Sequence, residues 1–222
     1  MSEGIATLTI EEQLQQISLK LLDEVRVLYE LISNNDSNLN YMQIYSKING
    51  IKNDIENSKY RLGEYIFKIR EGLLDKDIYV RILNNLEKIS QNLDAAAYRL
   101  SVMLTKDLKI ENSIGRLLIV ICEKIIASIT HFIEALRLLS TNPKNALENA
   151  RNVIKIEQEV DELYRSLELY LFEKSVNNFL HIMLLKDVAD RLEDSEDLLK
   201  GSADDITYIA YERMLYDKSF PS

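Results

Sequence analysis

Apolar residues recur every three or four positions along nearly the whole chain, and only short polar stretches interrupt them. This spacing puts apolar side chains on one face of an α-helix, so it predicts helices rather than strands. The pattern divides into six predicted helices. Their approximate bounds are Thr9–Ser33, Leu39–Glu71, Asp77–Thr105, the stretch between residues 113 and 140, Pro143–Glu173 and Phe179–Tyr216.

The sixth predicted helix shows its packing face most clearly. Its apolar and small residues alternate in steps of three and four, as in the seam of a helical bundle. The residues of this seam are Leu185, Val188, Leu192, Ser195, Leu199, Ser202, Ile206 and Ile209. Short connections make successive helices antiparallel neighbours, so each run of three helices is predicted to form a bundle.

The two halves of the chain resemble each other, which indicates an internal duplication. Three matches relate them at shifts of 101 to 103 positions: Ile55-Glu56 with Ile156-Glu157, Glu87 with Asp190, and Asp94 with Asp197. We therefore predict an all-α fold of two tandem long three-helix, spectrin-like bundles. Residues 1–106 form the first repeat and residues 107–222 the second, packed as one compact unit.

Composition agrees with long helices, because Gly (6) and Pro (2) are rare in the 222 residues. The net charge of −9 and the absence of a Lys/Arg cluster argue against nucleic-acid binding. The single cysteine, Cys122, cannot form an internal disulfide, which favours a reducing, cytoplasmic compartment. The N-terminal residues lack the basic start and apolar run of a signal peptide.

The most apolar segment, Ile114–Leu139, is predicted to be buried in the protein rather than in lipid, because charged residues interrupt it. Cys122 and His131 lie in this segment and are interpreted as packed residues, as is His181. We therefore predict no catalytic residue.

Two pairs of carboxylates carry the candidate chemistry. Glu157 and Asp161 lie one helical turn apart in the fifth helix, and Glu193 and Asp197 lie one turn apart in the sixth. Carboxylates four positions apart repel each other unless a cation lies between them. The helical phase allows two arrangements, in which both pairs turn into one shared groove or both turn away. The alternative interpretation is a solvated acidic face without a ligand.

The spacing of these pairs resembles that of a known family. The arrangement IExxxD at Ile156–Asp161, followed after about thirty residues by LExxxD at Leu192–Asp197, is similar to the PhoU-like phosphate transport regulators. Within that family it looks most like the shorter branch associated with Pit-type transporters. The resemblance implies a metal site formed by Glu157, Asp161, Glu193 and Asp197, for iron, manganese, magnesium or zinc.

The first repeat departs from the family pattern. Glu56 is followed four residues later by Tyr60, and Asp94 is preceded four residues earlier by Ser90. This departure argues against a complete metal site in the first half.

The resemblance also implies a function. The expected protein is a non-enzymatic regulator or adaptor that acts at the cytoplasmic face of a membrane phosphate transporter, in the cytoplasm or at the inner face of the membrane. Self-association into a homo-oligomer is compatible with it. Two alternatives are a structural bundle without a ligand and a ferritin-like metal enzyme. The second lacks the Glu-x-x-His motif, since Ser128 and Asn178 precede the histidines by three.

Overall fold

A computed structural model of the protein describes residues 3–33, 40–174 and 179–219. Six α-helices account for nearly all of these residues, and the predicted all-α class is confirmed. The helices are α1 Glu3–Ser33, α2 Tyr41–Ile69, α3 Lys76–Thr105, α4 Asn112–Leu138, α5 Pro143–Lys174 and α6 Phe179–Ser219. The sequence-based bounds agree to within a few residues at most ends, and the predicted start of the second helix at Leu39 lies outside the described residues.

Local chemistry accounts for several helix ends. Asn40 caps α2, because its side-chain oxygen accepts a hydrogen bond from the backbone N–H of Gln43 at 3.1 Å. Pro143 opens α5, where its missing N–H costs no helical hydrogen bond. Asp107 follows α3 with a positive φ of 56°, a conformation that Asp tolerates better than most residues. The predicted boundary between the repeats falls in this connection.

Helices α1, α2 and α3 pack against one another, and so do α4, α5 and α6. Each half is therefore a three-helix bundle, as predicted. The bundles meet mainly through α1 against α4 and α3 against α6, whereas α2 and α5 pack mainly within their own bundles. One continuous cluster of buried apolar side chains runs through both halves.

The two helix pairs that join the bundles are antiparallel, as the side-chain contacts along each pair show. Along α3 and α6, Arg81 donates to Asp205 at 2.8 Å, and further along Arg191 donates to Asn92 at 3.0 Å. Residue numbers therefore rise in one helix as they fall in the other. Every residue of the predicted seam of α6 is buried, which confirms the face that the sequence assigned to the core.

Helix α4 contains the most apolar segment of the chain. Leu118, Ile125 and Phe132 along it are fully buried among the other helices, as predicted. None of the described helices is long and apolar enough to cross a membrane.

The pattern of burial corrects the alignment of the two repeats. Buried Leu14 of α1 corresponds to Leu118 of α4, 104 positions later, and the buried positions around them repeat at the same shift. For the other two helix pairs the shift is 105 (Ile55 with Val160, Leu62 with Leu167) and 106 (Leu86 with Leu192, Leu100 with Ile206). The shifts of 101 and 103 inferred from sequence identity are wrong.

The error is about one turn of helix, and it has a physical reason. Moving an amphipathic helix by three or four residues leaves its apolar face in place, so sequence spacing alone cannot choose between the two registers. Burial resolves this ambiguity, because it marks each residue rather than a periodic face.

Each bundle contains one buried glutamate that accepts a hydrogen bond from a buried serine of a neighbouring helix. In the first, Ser90 of α3 donates to Glu24 Oε2 of α1 at 2.7 Å. In the second, Ser128 of α4 donates to Glu196 Oε1 of α6. At the corrected shifts Glu24 corresponds to Ser128 and Ser90 to Glu196, so the two bundles keep the same contact with donor and acceptor exchanged.

A buried polar network ties the four central helices together at one end. Arg213 of α6 donates to Glu11 Oε1 of α1 at 2.6 Å and to the hydroxyl of Tyr79 of α3 at 2.9 Å. Ser140, just after α4, donates to Glu11 Oε2 at 2.6 Å. The Glu11 side chain is only 3% exposed, so its charge depends on these partners.

Substituting Glu11 is therefore expected to destabilise the protein strongly. Glu11→Ala leaves Arg213, which is half-buried, without its carboxylate, and removing one partner of a buried ion pair costs about 3–5 kcal/mol. The exposed neighbour Glu12 is a matched control, for which Glu12→Ala should stay within about 0.5 kcal/mol of the wild type. Urea denaturation of both variants measures the difference. Equal midpoints would contradict this role for the network.

Candidate metal centre

The second bundle brings carboxylates from α5 and α6 together on its surface. One carboxylate oxygen each from Glu157, Asp161 and Asp197 lies within 4.8 Å of the other two. Of the two arrangements that the helical phase allows, the structure therefore has the convergent one. Glu193 is not part of this set of three.

Burial and mutual repulsion raise the pKa of three carboxyl groups on this surface: Glu157, Glu193 and Asp197. Burial, followed by the charges of Asp197 and Asp194, raises the pKa of Glu193 to about 7. Burial also raises the pKa of Glu157 and of Asp197, and Asp161 adds to both shifts. Burial is the largest cause of each shift, and the negative charges of the neighbouring carboxylates add to it.

The nearby basic side chains offset this charge only in part. Arg165 donates to Asp161 at 2.9 Å, but its side chain is 70% exposed and is screened by solvent. Lys200 lowers the pKa of Glu157 and of Asp197, yet its ion pair is with Asp204, at 3.9 Å. A cation bound among the carboxylates would relieve the remaining repulsion.

A fifth carboxyl group, which the sequence analysis missed, lies behind this cluster. Glu196 is buried on α6, and its Oε2 has no hydrogen-bond partner among the described residues. Burial raises its pKa to about 8, against the lowering effect of the Ser128 hydrogen bond, and the charges of Glu157 and Asp197 raise it too. The sequence does contain a signal for its burial, because Glu196 lies four residues after Leu192 and three before Leu199, on the apolar face of α6.

The first bundle has a different charge arrangement at the corresponding positions. At the corrected shifts, the acids Glu157, Asp161, Glu193 and Asp197 correspond in turn to Lys52, Glu56, Glu87 and Gln91. Two of the four acids are thus absent from the first bundle, where the base Lys52 and the neutral Gln91 stand in their places.

Lysines of the first bundle neutralise the two acids that remain. Lys52 Nζ lies 3.1 Å from Glu56 Oε2, and Lys59 Nζ lies 2.8 Å from Glu87 Oε2. The hydrogen bond that Lys52 donates to Glu56 raises the pKa of Lys52, so its positive charge is held at this position. The first bundle thus keeps two of the four acids, each paired with a lysine, and the residues that differ from the second bundle are not the ones compared in the sequence. The absence of a metal site from the first half stays a prediction.

The donor set of the second bundle fits a hard cation. Carboxylate oxygens suit magnesium, manganese and iron, and two acids one turn apart on each of two helices offer several oxygens to one ion. A cation there would supply positive charge and join α5 to α6 across the surface. The three residues of the convergent set are all positions that the sequence analysis named.

Two further residues of reactive types, Cys122 and His131, are held by packing and hydrogen bonding within the protein. Cys122 is fully buried, and burial raises the pKa of its thiol to about 12, so it is not a nucleophile at neutral pH. His131 Nδ1 lies 3.0 Å from Asn149 Oδ1 on the neighbouring helix α5. Both residues therefore have the packing roles expected of them.

The fold of two joined three-helix bundles is also that of PhoU structures. The crystal structure of PhoU from Pseudomonas aeruginosa matches 92% of this chain and 96% of its own, with a TM-score of 0.79 and 12% sequence identity. Two structures of PhoU-like proteins from Shewanella oneidensis MR-1, one described as a phosphate regulatory protein, match with a TM-score of 0.66 and 15% identity. They cover 91% of this chain and 99% and 96% of their own.

Sequence comparison adds nothing to this likeness, because no protein-family model and no curated protein matches the chain. The similarity is therefore one of fold, and it confirms the PhoU-like architecture that the acid motifs indicated. The assignment to the shorter, Pit-associated branch stays a prediction.

The buried Glu196 gives the protein a characteristic dependence on pH. Its folded-state pKa of about 8 exceeds the ordinary value of 4.5, so between these values the folded state holds a proton that the unfolded state releases. The free energy of unfolding therefore falls as pH rises through this window. Glu196→Gln removes the effect, because an amide keeps the Ser128 contact and does not titrate.

We expect the difference in Tm between Glu196→Gln and the wild type to become more positive from pH 5 to pH 8. A change of about 1 kcal/mol corresponds to about 2–4 °C in a protein of this size. Thermal unfolding of both proteins after treatment with a chelating resin measures it, with the exposed Glu162→Gln as control. A difference that does not change with pH would show that Glu196 is already ionised in the folded state.

Proposed function

We propose that this protein is a non-enzymatic regulator of phosphate transport, acting as an adaptor at the cytoplasmic face of a membrane phosphate transporter. The observation that carries the proposal is the match to PhoU over 92% of the chain, together with the convergent acids on α5 and α6. One matched structure from Shewanella oneidensis MR-1 is described as a PhoU-like phosphate regulatory protein. The described residues offer long rigid helical surfaces suited to docking.

The charge of the protein supports docking at a cytoplasmic surface. Its net charge is −9, and the acidic face of α6 adds to that of α5. Cytoplasmic loops of membrane proteins carry an excess of Lys and Arg, so an acidic surface is complementary to them. Such complementarity favours association and orientation, and it weakens as salt screens the charges.

We also propose that the second bundle binds a metal ion through Glu157, Asp161 and Asp197, with Glu193 beside them. Three observations support this: the oxygens converge within 4.8 Å, the pKa values of three acids are raised, and the basic neighbours do not neutralise the set. Iron, manganese and magnesium suit such oxygen ligands better than zinc, which favours nitrogen and sulfur. The role proposed for the metal is structural and electrostatic.

Metal content tests this site directly. Glu157→Gln/Asp197→Asn removes two of the three convergent carboxylates and should reduce bound manganese or iron at least tenfold, because few ligands remain. Glu56→Gln/Glu87→Gln makes the same kind of change in the first bundle and should leave the metal content unchanged. Elemental analysis of the proteins, purified without chelators, measures both. Equal metal in all three proteins would remove the proposed site.

Association with a transporter tests the adaptor function. Co-expressed with a Pit-type phosphate transporter, the protein is expected to co-purify with the membrane fraction at low salt and to dissociate as salt is raised. An unrelated membrane protein with similarly basic cytoplasmic loops is the control. Failure to co-purify at any phosphate concentration would favour the alternative of a structural bundle. The proposed metal site would not be affected by that result, because metal content is measured separately.

A further inference from the structure

A polar groove between α1 and α2 has no role in the proposed docking or in metal binding. Its volume is about 450 Å³, and its polar lining consists of Gln13, Gln16, Lys20, Ser58, Arg61 and Tyr65. All of these side chains can donate hydrogen bonds, and no carboxylate is among them. This is unusual for a protein whose net charge is −9.

Two cations of the groove converge on one neutral oxygen. Lys20 Nζ donates to Ser58 Oγ at 3.0 Å, and Arg61 Nη2 donates to the same oxygen at 3.3 Å. The Ser58 hydroxyl itself donates to the backbone oxygen of Asp54 at 2.9 Å, which Lys20 also contacts at 3.4 Å. Neither cation forms an ion pair with any residue in the described ranges.

This arrangement leaves both charge and donors unused. The two cations repel each other at short distance, and a neutral hydroxyl cannot offset that repulsion. Ser58 already accepts two hydrogen bonds, whereas the guanidinium of Arg61 has five N–H donors and uses one of them here. An anion in the groove would meet the remaining donors and relieve the repulsion.

The second bundle shows what a neutralised version of this groove looks like. Lys124 corresponds to Lys20 at the shift of 104, and its Nζ lies 2.6 Å from Glu159 Oε2. Glu159 corresponds to Asp54 at the shift of 105. In the first bundle the acid is one methylene shorter, and Lys20 contacts its backbone oxygen instead of its carboxylate.

The second cation also belongs to the first bundle alone. At the shift of 105, Arg61 corresponds to Ser166, which has no charge. Compared with the corresponding surface of the second bundle, the first-bundle groove therefore lacks one ion pair and has one additional base. The two bundles have changed in opposite electrostatic senses, with acids collected on α5–α6 and bases in the α1–α2 groove.

We propose that the α1–α2 groove binds a phosphate group, either as the free ion or as the terminal group of a small phosphorylated molecule. Arginine offers a planar pair of donors and lysine a point charge, a combination suited to a tetrahedral dianion. Tyr65 and the two glutamines add neutral donors around it. The groove is larger than a single ion needs and falls in the range of small-molecule sites, and two cations are too few to hold a nucleic-acid backbone.

This inference goes beyond the proposed function and does not require the metal or the transporter. Its test is isothermal titration of the protein with inorganic phosphate and with phenyl phosphate, after a chelating resin has removed metal that could bind phosphate on α5–α6. We expect saturable binding of at least one of them with one site per chain, and acetate should not compete. Tighter binding of inorganic phosphate would identify the free ion as the ligand, and tighter binding of phenyl phosphate would identify an ester.

Variants locate the site. Lys20→Gln/Arg61→Gln should weaken binding at least tenfold, and Arg61→Gln alone, an exposed change that leaves packing intact, should weaken it less. Lys88→Gln/Arg116→Gln removes the same charge from two exposed positions and should leave the affinity within about twofold, since the long-range charge effect is screened. The proposal is overturned if the folded wild type binds neither ligand at about 10 mM, where even weak sites fill. Equal losses in the two double variants would overturn it as well.

Discussion

Antiparallel packing of α3 against α6 and of α1 against α4 sets the positions of all other parts of this protein. Polar pairs along these contacts, such as Arg81 with the buried Asp205, fix the helices lengthwise, and a one-turn slip would leave that buried carboxylate without its donor. With the inner four helices fixed, α2 and α5 are left at the sides with one face exposed. The acid cluster and the basic groove both use an exposed face of these two helices.

The same duplicated scaffold carries opposite charges in its two halves. In the second bundle, Glu157 and Asp197 converge with Asp161 and no lysine lies among them as an ion-pair partner in the described ranges. In the first bundle, Lys52 stands at the position equivalent to Glu157 of the proposed metal site. The ammonium group of Lys52 lies beside Glu56, which corresponds to Asp161, and forms an ion pair with it. Duplication supplied two equivalent surfaces, and substitutions at few positions gave them different chemistry.

The sequence predicted the helices and the core well but the lengthwise alignment of the repeats poorly. Periodic burial, as in Leu185 to Ile209, determines which face of a helix is inside. It does not determine which turn of one repeat matches which turn of the other, so Glu56 was first aligned with Glu157 instead of Asp161. Helical phase also left the direction of the acid pairs open, because it gives angles about one axis and not the position of the neighbouring helix. Glu196 was missed because charged residues are rarely expected in a core.

The central claim is that a cation binds between α5 and α6 and that its counterpart in the first bundle is replaced by lysine. Anomalous diffraction from crystals grown with manganese tests this most directly, since it locates the ion without assumptions about affinity or activity. The account predicts a peak beside the carboxylates of Glu157, Asp161 and Asp197, and none beside Lys52 and Glu56. A peak in the first bundle, or none on α5–α6 in crystals that hold manganese elsewhere, would contradict it.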